Sequence, residues 1–198
     1  MSATGRQSEH PIHPQFLDRW SPRAFADNAI SEADVLTVLE AARWAPSASN
    51  LQPWRFIYAL KGTPEFDAFV ETLVPFNQGW AKNAGALIFV ASVKTFDGER
   101  PVPWHSFDAG AAWGFLALQA HHLGLAAHGM AGVDFDKAAE VLGVPDSLKV
   151  EAAIALGAPG HVDSLDEPYR EREVPSTRQP LSEMVFKARY AAKAPKVA

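Results

Sequence analysis

Residues 41–56 read AARWAPSASNLQPWRF, a helix end, a polar loop and the start of a strand in sixteen residues. Upstream, Ser31 is a good N-cap, and Glu32 and Asp34 favour the positive end of a helix dipole. Val35, Leu36, Leu39 and Ala42 then recur at helical spacing until Pro46 ends the segment. The middle, Pro46 to Gln52, offers hydroxyl and amide groups, and Pro53 is expected to force an extended approach to the next element. That element, WRFIYAL at 54–60, reads as a strand because aromatic and β-branched residues dominate it. Taken alone, the polar loop also suits an Asx-type turn that satisfies its own backbone.

Working outward, ALIFVASV at 86–93 and VEAAIALG at 150–157 read as further strands. Asp108 to Leu123 is apolar nearly all round with Gly124 at the cap position, which predicts a helix buried on most faces. Asp134 to Leu142 is a shorter capped helix closed by Gly143 and Pro145. Helices and strands alternate, so the architecture is α/β or α+β around one sheet. The 198 residues suit one compact domain that buries roughly 70% of its unfolded surface. We read residues 1–13 as a flexible arm, 14–186 as the domain and 187–198 as a tail.

Composition removes several classes of function. There is no Cys, which excludes disulfides, thiolate metal sites and cysteine nucleophiles. A net charge of −5 argues against a general nucleic-acid binder. No stretch of about 20 apolar residues predicts a membrane span, and the first residues lack the apolar core of a secretory signal. The expectation is a cytoplasmic protein with neither membrane nor nucleic-acid partner. His121 and His122 point about 100° apart on a helix and have no carboxylate one turn on, so no metal site is expected. No Gly-x-Ser-x-Gly elbow and no glycine-rich phosphate loop appears, so any phosphate site must be built from side chains.

Four clusters carry possible chemistry. In RWSPR, Arg19, Ser21 and Arg23 place two guanidinium groups around a hydroxyl, a set suited to one phosphate and also to a solvated basic turn. Pro46, Ser47 and Asn50 belong to the polar loop. In HGMAG, Gly129 and Gly132 flank Met130 and Ala131 and let the backbone approach a planar ligand. Ser176-Thr177-Arg178 lies late in the chain. Phe76, Trp80 and Trp104 are candidate aromatic walls of a slot for flat oxidised rings, with dimer packing the alternative. His128 is a candidate for positioning substrate. The run from Asp163 to Glu173 reads as a solvated connection.

Taken in order, these stretches resemble the FMN-dependent nitroreductase family. RWSPRAF, AARWAPSASNLQPWRF, HHLGLAAHGMAGVDFDKAAEVLGVP, EAAIALGAPG and the Arg178 of STRQPL carry the likeness, over about residues 14–186. The resemblance implies an α+β three-layer sandwich, a mainly antiparallel sheet flanked by helices, in an intertwined homodimer. The apolar 108–123 helix would lie at the dimer centre, and residues after about 179 would add to the partner's sheet. It implies FMN as bound cofactor, with Arg19, Ser21, Arg23 and Arg178 on its phosphate and ribityl chain. Asn77 would meet the pyrimidine side, and the amides of Ala131 and Gly132 the N5/O4 edge. Pro46, Ser47 and Asn50 would reach the flavin held mainly by the other subunit.

The implied activity passes hydride from NAD(P)H through flavin N5 to electron-poor acceptors such as nitroaromatics or quinones, in ping-pong fashion, with no obligatory side-chain acid or base. The alternative is a non-catalytic FMN-binding storage or sensor protein. Three positions depart from the family pattern: Trp80 stands where a basic residue is common, Ser176 where Lys is common, and Ala131 where an acid is common.

Overall fold

Residues 4–190 are described by the structure, a computed structural model; residues 1–3 of the expected arm and 191–198 of the expected tail lie outside them. A short helix α1 (Gln15–Asp18) precedes α2 (Glu32–Arg43), strand β1 (Trp54–Leu60), α3 (Pro64–Val70) and α4 (Pro75–Ala81). Next come β2 (Ala86–Val93), a small hairpin of β3 (Thr95–Phe96) and β4 (Arg100–Pro101), and the long helix α5 (His105–His122). The chain then forms β5 (Ala126–Met130), α6 (Phe135–Val141), β6 (Leu148–Gly157) and α7 (Glu167–Arg170).

Four strands form one sheet in the order β1-β2-β6-β5, and every neighbouring pair is antiparallel. The central strand β2 is apolar apart from Ser92 because helices cover both of its faces. Leu87 and Phe89, with Ala153 and Ala155 of β6, pack against Phe66, Phe69, Trp80 and Ala138 from α3, α4 and α6. Ile88 and Val90, with Ile154 and Leu156, pack against Val35 and Val38 of α2 and Leu116 and Ala120 of α5. The three-layer α+β sandwich expected from the resemblance is the fold.

Local chemistry explains most boundaries. Ser31 caps α2 in a reciprocal box with Asp34. Gly124, at φ +74°, ends α5 with its amide on His121 O (3.0 Å), and the Leu125 amide returns to Ala120 O (2.9 Å). Only a left-handed residue permits that pair of bonds, and glycine takes the conformation without a Cβ penalty.

Several expectations need correction. Leu36, placed on the apolar stripe of α2, is exposed; Val38 takes the inward position. The α5 helix starts at His105 rather than Asp108: the Asp108 amide already donates to Trp104 O (3.0 Å), so Asp108 lies inside the first turn. The edge strand β5 was not expected at all: AAHGM lacks β-branched residues, and pairing with β6 imposes its conformation. Nor is the N-terminal arm detached where it is described, for Thr4 Oγ1 donates to Leu17 O (2.9 Å).

The centre of the sheet supports everything else. Replacing Phe89, fully buried edge-to-face against Phe69, by Ala should cost about 3–5 kcal/mol of stability. Urea unfolding followed by circular dichroism would show the lowered midpoint; an unchanged midpoint would contradict this packing.

Candidate functional site

The site begins in the loop between α1 and α2. Phe25 bridges to Pro159, and the Ala26 amide donates to Ala158 O (2.9 Å), which ties the loop to the end of β6. Glu173 grips it from outside: its carboxylate accepts from the amides of Arg23 (2.8 and 2.9 Å) and Ala24 (2.8 Å). The reading of 163–173 as a solvated connection is therefore corrected at this residue. Those backbone amides, turned outward by the loop, need an acceptor, and the nearby carboxylate supplies it.

His128 on β5 holds the loop from beneath, with Nδ1 donating to Pro22 O (2.9 Å). Burial lowers its pKa to about 4, and the charges of Arg23 and Arg19 push the same way against the carbonyls of Pro22 and Ser21. The ring is therefore neutral near pH 7. It also packs on Trp80, with centroids 4.6 Å apart, so its visible task is to support the arginine loop.

Three arginines converge above this support. Arg19 Nη1 donates to Ser21 Oγ (3.3 Å). Burial pulls the Arg19 guanidinium below its ordinary pKa, followed by the charges of Arg6 and Arg178. No salt bridge joins Arg6, Arg19 or Arg178 to a carboxylate among the described residues. A guanidinium cannot shed its proton, so this corner keeps uncompensated positive charge. Arg23 lies slightly apart, its guanidinium 5.9 Å from the Trp80 ring centre and its Nε buried without a partner.

The turn after β5 completes this end. Gly132 O accepts from the Val74 amide (3.1 Å) and from Asn77 Nδ2 (3.1 Å), so Asn77 braces the turn. A Cβ on Gly132 would stand 2.5 Å from Asn77 Nδ2 and 2.8 Å from Val74 Cγ2, so any other residue there would push both side chains out of place. The amides of Ala131 and Gly132 have no acceptor among the described residues. They are two ready donors on a fixed turn.

The polar loop lies at the far end of α5. Asp108, buried in the first turn of that helix, accepts from the Ala48 amide (3.1 Å), and Ser47 Oγ accepts from the Gln52 amide (3.0 Å). Ser49, Asn50 and Gln52 all hold positive φ, at 51°, 56° and 48°. The extended approach expected before Pro53 is thus corrected: Gln52 is left-handed, held by the Ser47 hydroxyl. Each such non-glycine residue costs on the order of 1–3 kcal/mol, and strain of this kind gathers at functional loops. Arg19, by contrast, shares a cleft with Ala117 and His121 at the other end of α5. Asp108 and His121 are about 20 Å apart along the helix axis, so one protomer does not bring Pro46, Ser47 and Asn50 to the arginine corner.

The aromatic candidates also divide. Trp80 is corrected from an open wall to a buried floor: it is 1% exposed, stacked on Phe25 (6.3 Å) and tilted against His128 (4.6 Å), because α4 turns its ring onto the sheet. Phe76 stays partly exposed against Tyr169 (4.9 Å). Trp104 is 44% exposed at the start of α5, beside the polar loop rather than the arginines.

Sequence reasoning missed two features. Arg6 falls in the segment read as a flexible arm, yet its Nη1 donates to Arg19 O (2.9 Å). The second is a polar cluster at the start of α5. There Ser92 Oγ and Ser106 Oγ donate to Glu151 Oε1 (2.5 and 2.6 Å), and Lys149 Nζ reaches Oε2 (2.8 Å). Burial raises the Glu151 pKa, but the bonds from Lys149, Ser106 and Ser92 outweigh it and hold the carboxyl below its usual range. Since the Ser92 proton goes to the carboxylate, His105 Nδ1 (2.7 Å) must donate to that oxygen and cannot serve as its base. The cluster fixes α5 and is not a nucleophilic triad.

The state of His128 has a measurable consequence. Its folded pKa of about 4 lies below the unfolded value of 6.5, so the unfolded chain takes up the proton first as pH falls. Stability should hold above pH 6.5 and decline from there through about pH 4, by on the order of 2–3 kcal/mol. Urea unfolding from pH 7.5 to 4 should show this decline and a flatter profile for His128→Asn; equal slopes would contradict the assignment.

Comparison with known proteins shows the family. A crystal structure described as an oxidoreductase containing FMN superposes with a TM-score of 0.94 and 49% identity, covering 98% of this chain and 100% of that one. The NADH dehydrogenase of Thermus thermophilus is 27% identical over 199 residues, 86% of this chain and 92% of its own. A protein of Archaeoglobus fulgidus, whose assigned name is NADH dehydrogenase/NAD(P)H nitroreductase, is 31% identical over 150 residues, 71% of this chain and 81% of its own. The model of the nitroreductase family matches residues 17–158, which span the arginine loop, the polar loop and the turn after β5. With fold and family model in agreement, the chain belongs to the nitroreductase family.

Proposed function

We propose that the protein binds FMN and works as an NAD(P)H-dependent oxidoreductase on electron-poor acceptors such as nitroaromatics or quinones. The observation that carries this reading is the arginine corner, where Arg6, Arg19 and Arg178 converge without a salt bridge to any carboxylate among the described residues. A phosphate fits it, and the two unmet amides of Ala131 and Gly132 suit the polar edge of a planar ring. When bound, FMN supplies the hydride chemistry at flavin N5.

The protein's own residues bind and orient. Arg19 and Arg178 provide forked donors for the phosphate, and Ser21 is held beside them by its bond from Arg19. Asn77 fixes the turn that presents the Ala131 and Gly132 amides, and Trp80, packed against Phe25, forms a rigid floor. Arg23, lying over Trp80, puts a positive charge on the side where the chain has an indole in place of a basic residue. No side chain of the site is placed as an acid or base, and His128 is neutral and occupied. Donor and acceptor would share one slot in turn, which gives ping-pong kinetics.

A homodimer completes the site. The outward face of α5 carries Phe107, 80% exposed, and Phe115, with Gly110 and Gly114 opening space for a close helix neighbour. Pairing across this face brings the strained Ser47–Asn50 loop and Trp104 of one protomer towards the arginine corner of its partner.

Anaerobic absorption spectra of the purified protein, before and after NADH or NADPH, test the reading. A flavin band that bleaches within seconds and returns on adding a nitroaromatic or a quinone is expected. A flavin band that persists would instead support storage or sensing, and no band after incubation with FMN would overturn the cofactor. Arg19→Ala should weaken FMN binding about tenfold to a hundredfold; unchanged affinity would remove Arg19 from the phosphate.

A further inference from the structure

Arg6 stands where the N-terminal arm crosses the end of α1. Its Nη1 donates to Leu17 O (3.2 Å) and Arg19 O (2.9 Å), while its Nε is buried and without a partner. Opposite, Ser176, Thr177 and Arg178 line the same cavity of about 660 Å³ that Arg6 lines. Arg178 folds its Nη1 back onto Ser176 Oγ (3.1 Å) and Thr177 O (3.0 Å), bonds to neutral groups that leave its charge uncompensated. Arg6 is held below its ordinary pKa by burial and then by the charge of Arg178, as expected of like charges gathered in one place.

Bringing three guanidinium groups together costs free energy, and no salt bridge among the described residues offsets it: Glu9 of the arm lines the same cavity, but its carboxylate accepts from the Leu181 amide (2.8 Å). The charge that offsets the cost is an anion with several acceptor oxygens. A phosphate monoester matches that demand better than a carboxylate, because it carries more charge and three oxygens to share among the forks.

We propose that Arg6 is a phosphate-binding residue: the N-terminal arm brings it beside Arg19 and Arg178, and the three close on the terminal phosphate of FMN. This rests on the FMN reading above and adds to it that the arm is part of the cofactor site. Anion binding relieves the repulsion and draws the arm and the 176–178 segment together.

The test is a titration of the flavin-free whole chain with FMN and with riboflavin, followed by flavin fluorescence, for the unaltered protein, Arg6→Gln and Arg6→Lys. Riboflavin has the same ring and ribityl chain but no phosphate. Arg6→Gln is expected to weaken FMN about tenfold to a hundredfold and riboflavin less than twofold. Arg6→Lys keeps the charge but not the two carbonyl bonds, and should retain most of the FMN affinity. Equal losses for both flavins, or a Lys variant as weak as the Gln variant, would assign Arg6 to backbone support and overturn the proposal. Unchanged FMN affinity in Arg6→Gln, with thermal stabilisation by NADPH lost instead, would give the clamp to a diffusing nucleotide and also overturn it. Failure of the unaltered protein to bind either flavin would sink the FMN reading itself, a result separable from the failure of Arg6 alone.

Discussion

The length of α5 governs how this protein can build a site. Its eighteen residues carry the polar loop at one end, through the buried Asp108 on the Ala48 amide, and the arginine corner at the other, through Gln15 on Leu118 O and the cleft at His121. A rigid rod cannot bring its two ends together, so on the proposed reading a protomer would hold two half-sites facing different ways. The outward face of the same helix, with exposed Phe107 and Phe115 and two open glycines, supplies the surface on which a second copy can close them. Packing and function therefore meet in one element: one side of α5 is core, and the other is proposed to assemble the site.

Electrostatics impose a second constraint. The chain is acidic overall, at −5, yet gathers Arg6, Arg19 and Arg178 where none of them makes a salt bridge to a carboxylate among the described residues. Net charge says little about a local field when the basic residues converge. The concentration shapes its surroundings. His128 is buried under the loop and neutral, which spares the corner a further charge, and Glu173 satisfies backbone amides of Arg23 and Ala24 from outside it. The nearby turn is built the opposite way, with no titratable group and two backbone donors set by Gly132. One end of the proposed site offers charge and the other offers backbone hydrogen-bond donors.

How much of this was legible in the sequence follows from where its signals come from. The capped α2, the apolar β2 and the glycine-closed α5 could be read because their patterns are local and periodic. Strand β5 could not, since AAHGM owes its conformation to the ladder with β6 rather than to its own residues. The order of the motifs pointed to Arg19, Ser21, Arg23, Asn77, Gly132 and Arg178, but not to their depth. Trp80 became a floor because burial depends on what covers it, here Phe25 from a distant loop. Arg6 and Glu173 were hidden for a related reason: each acts through a contact far along the chain, and a polar residue in a polar segment carries no local mark of it. The left-handed Gln52 ran against the effect of Pro53 because the Ser47 hydroxyl supplied a local bond worth the strain.

The central claim is that one protomer's arginine corner and the other's strained loop make a single flavin site. It is tested most directly by mixing two defective variants, Arg19→Ala and Asn50→Ala, unfolding them together and refolding them into mixed dimers. A mixed dimer contains one site with both defects and one with neither. The account predicts that each variant alone binds FMN poorly, while the isolated mixed dimer regains tight binding at one FMN per dimer. If the mixed dimer binds no better than its parents, each site is contained within one protomer and the account is wrong.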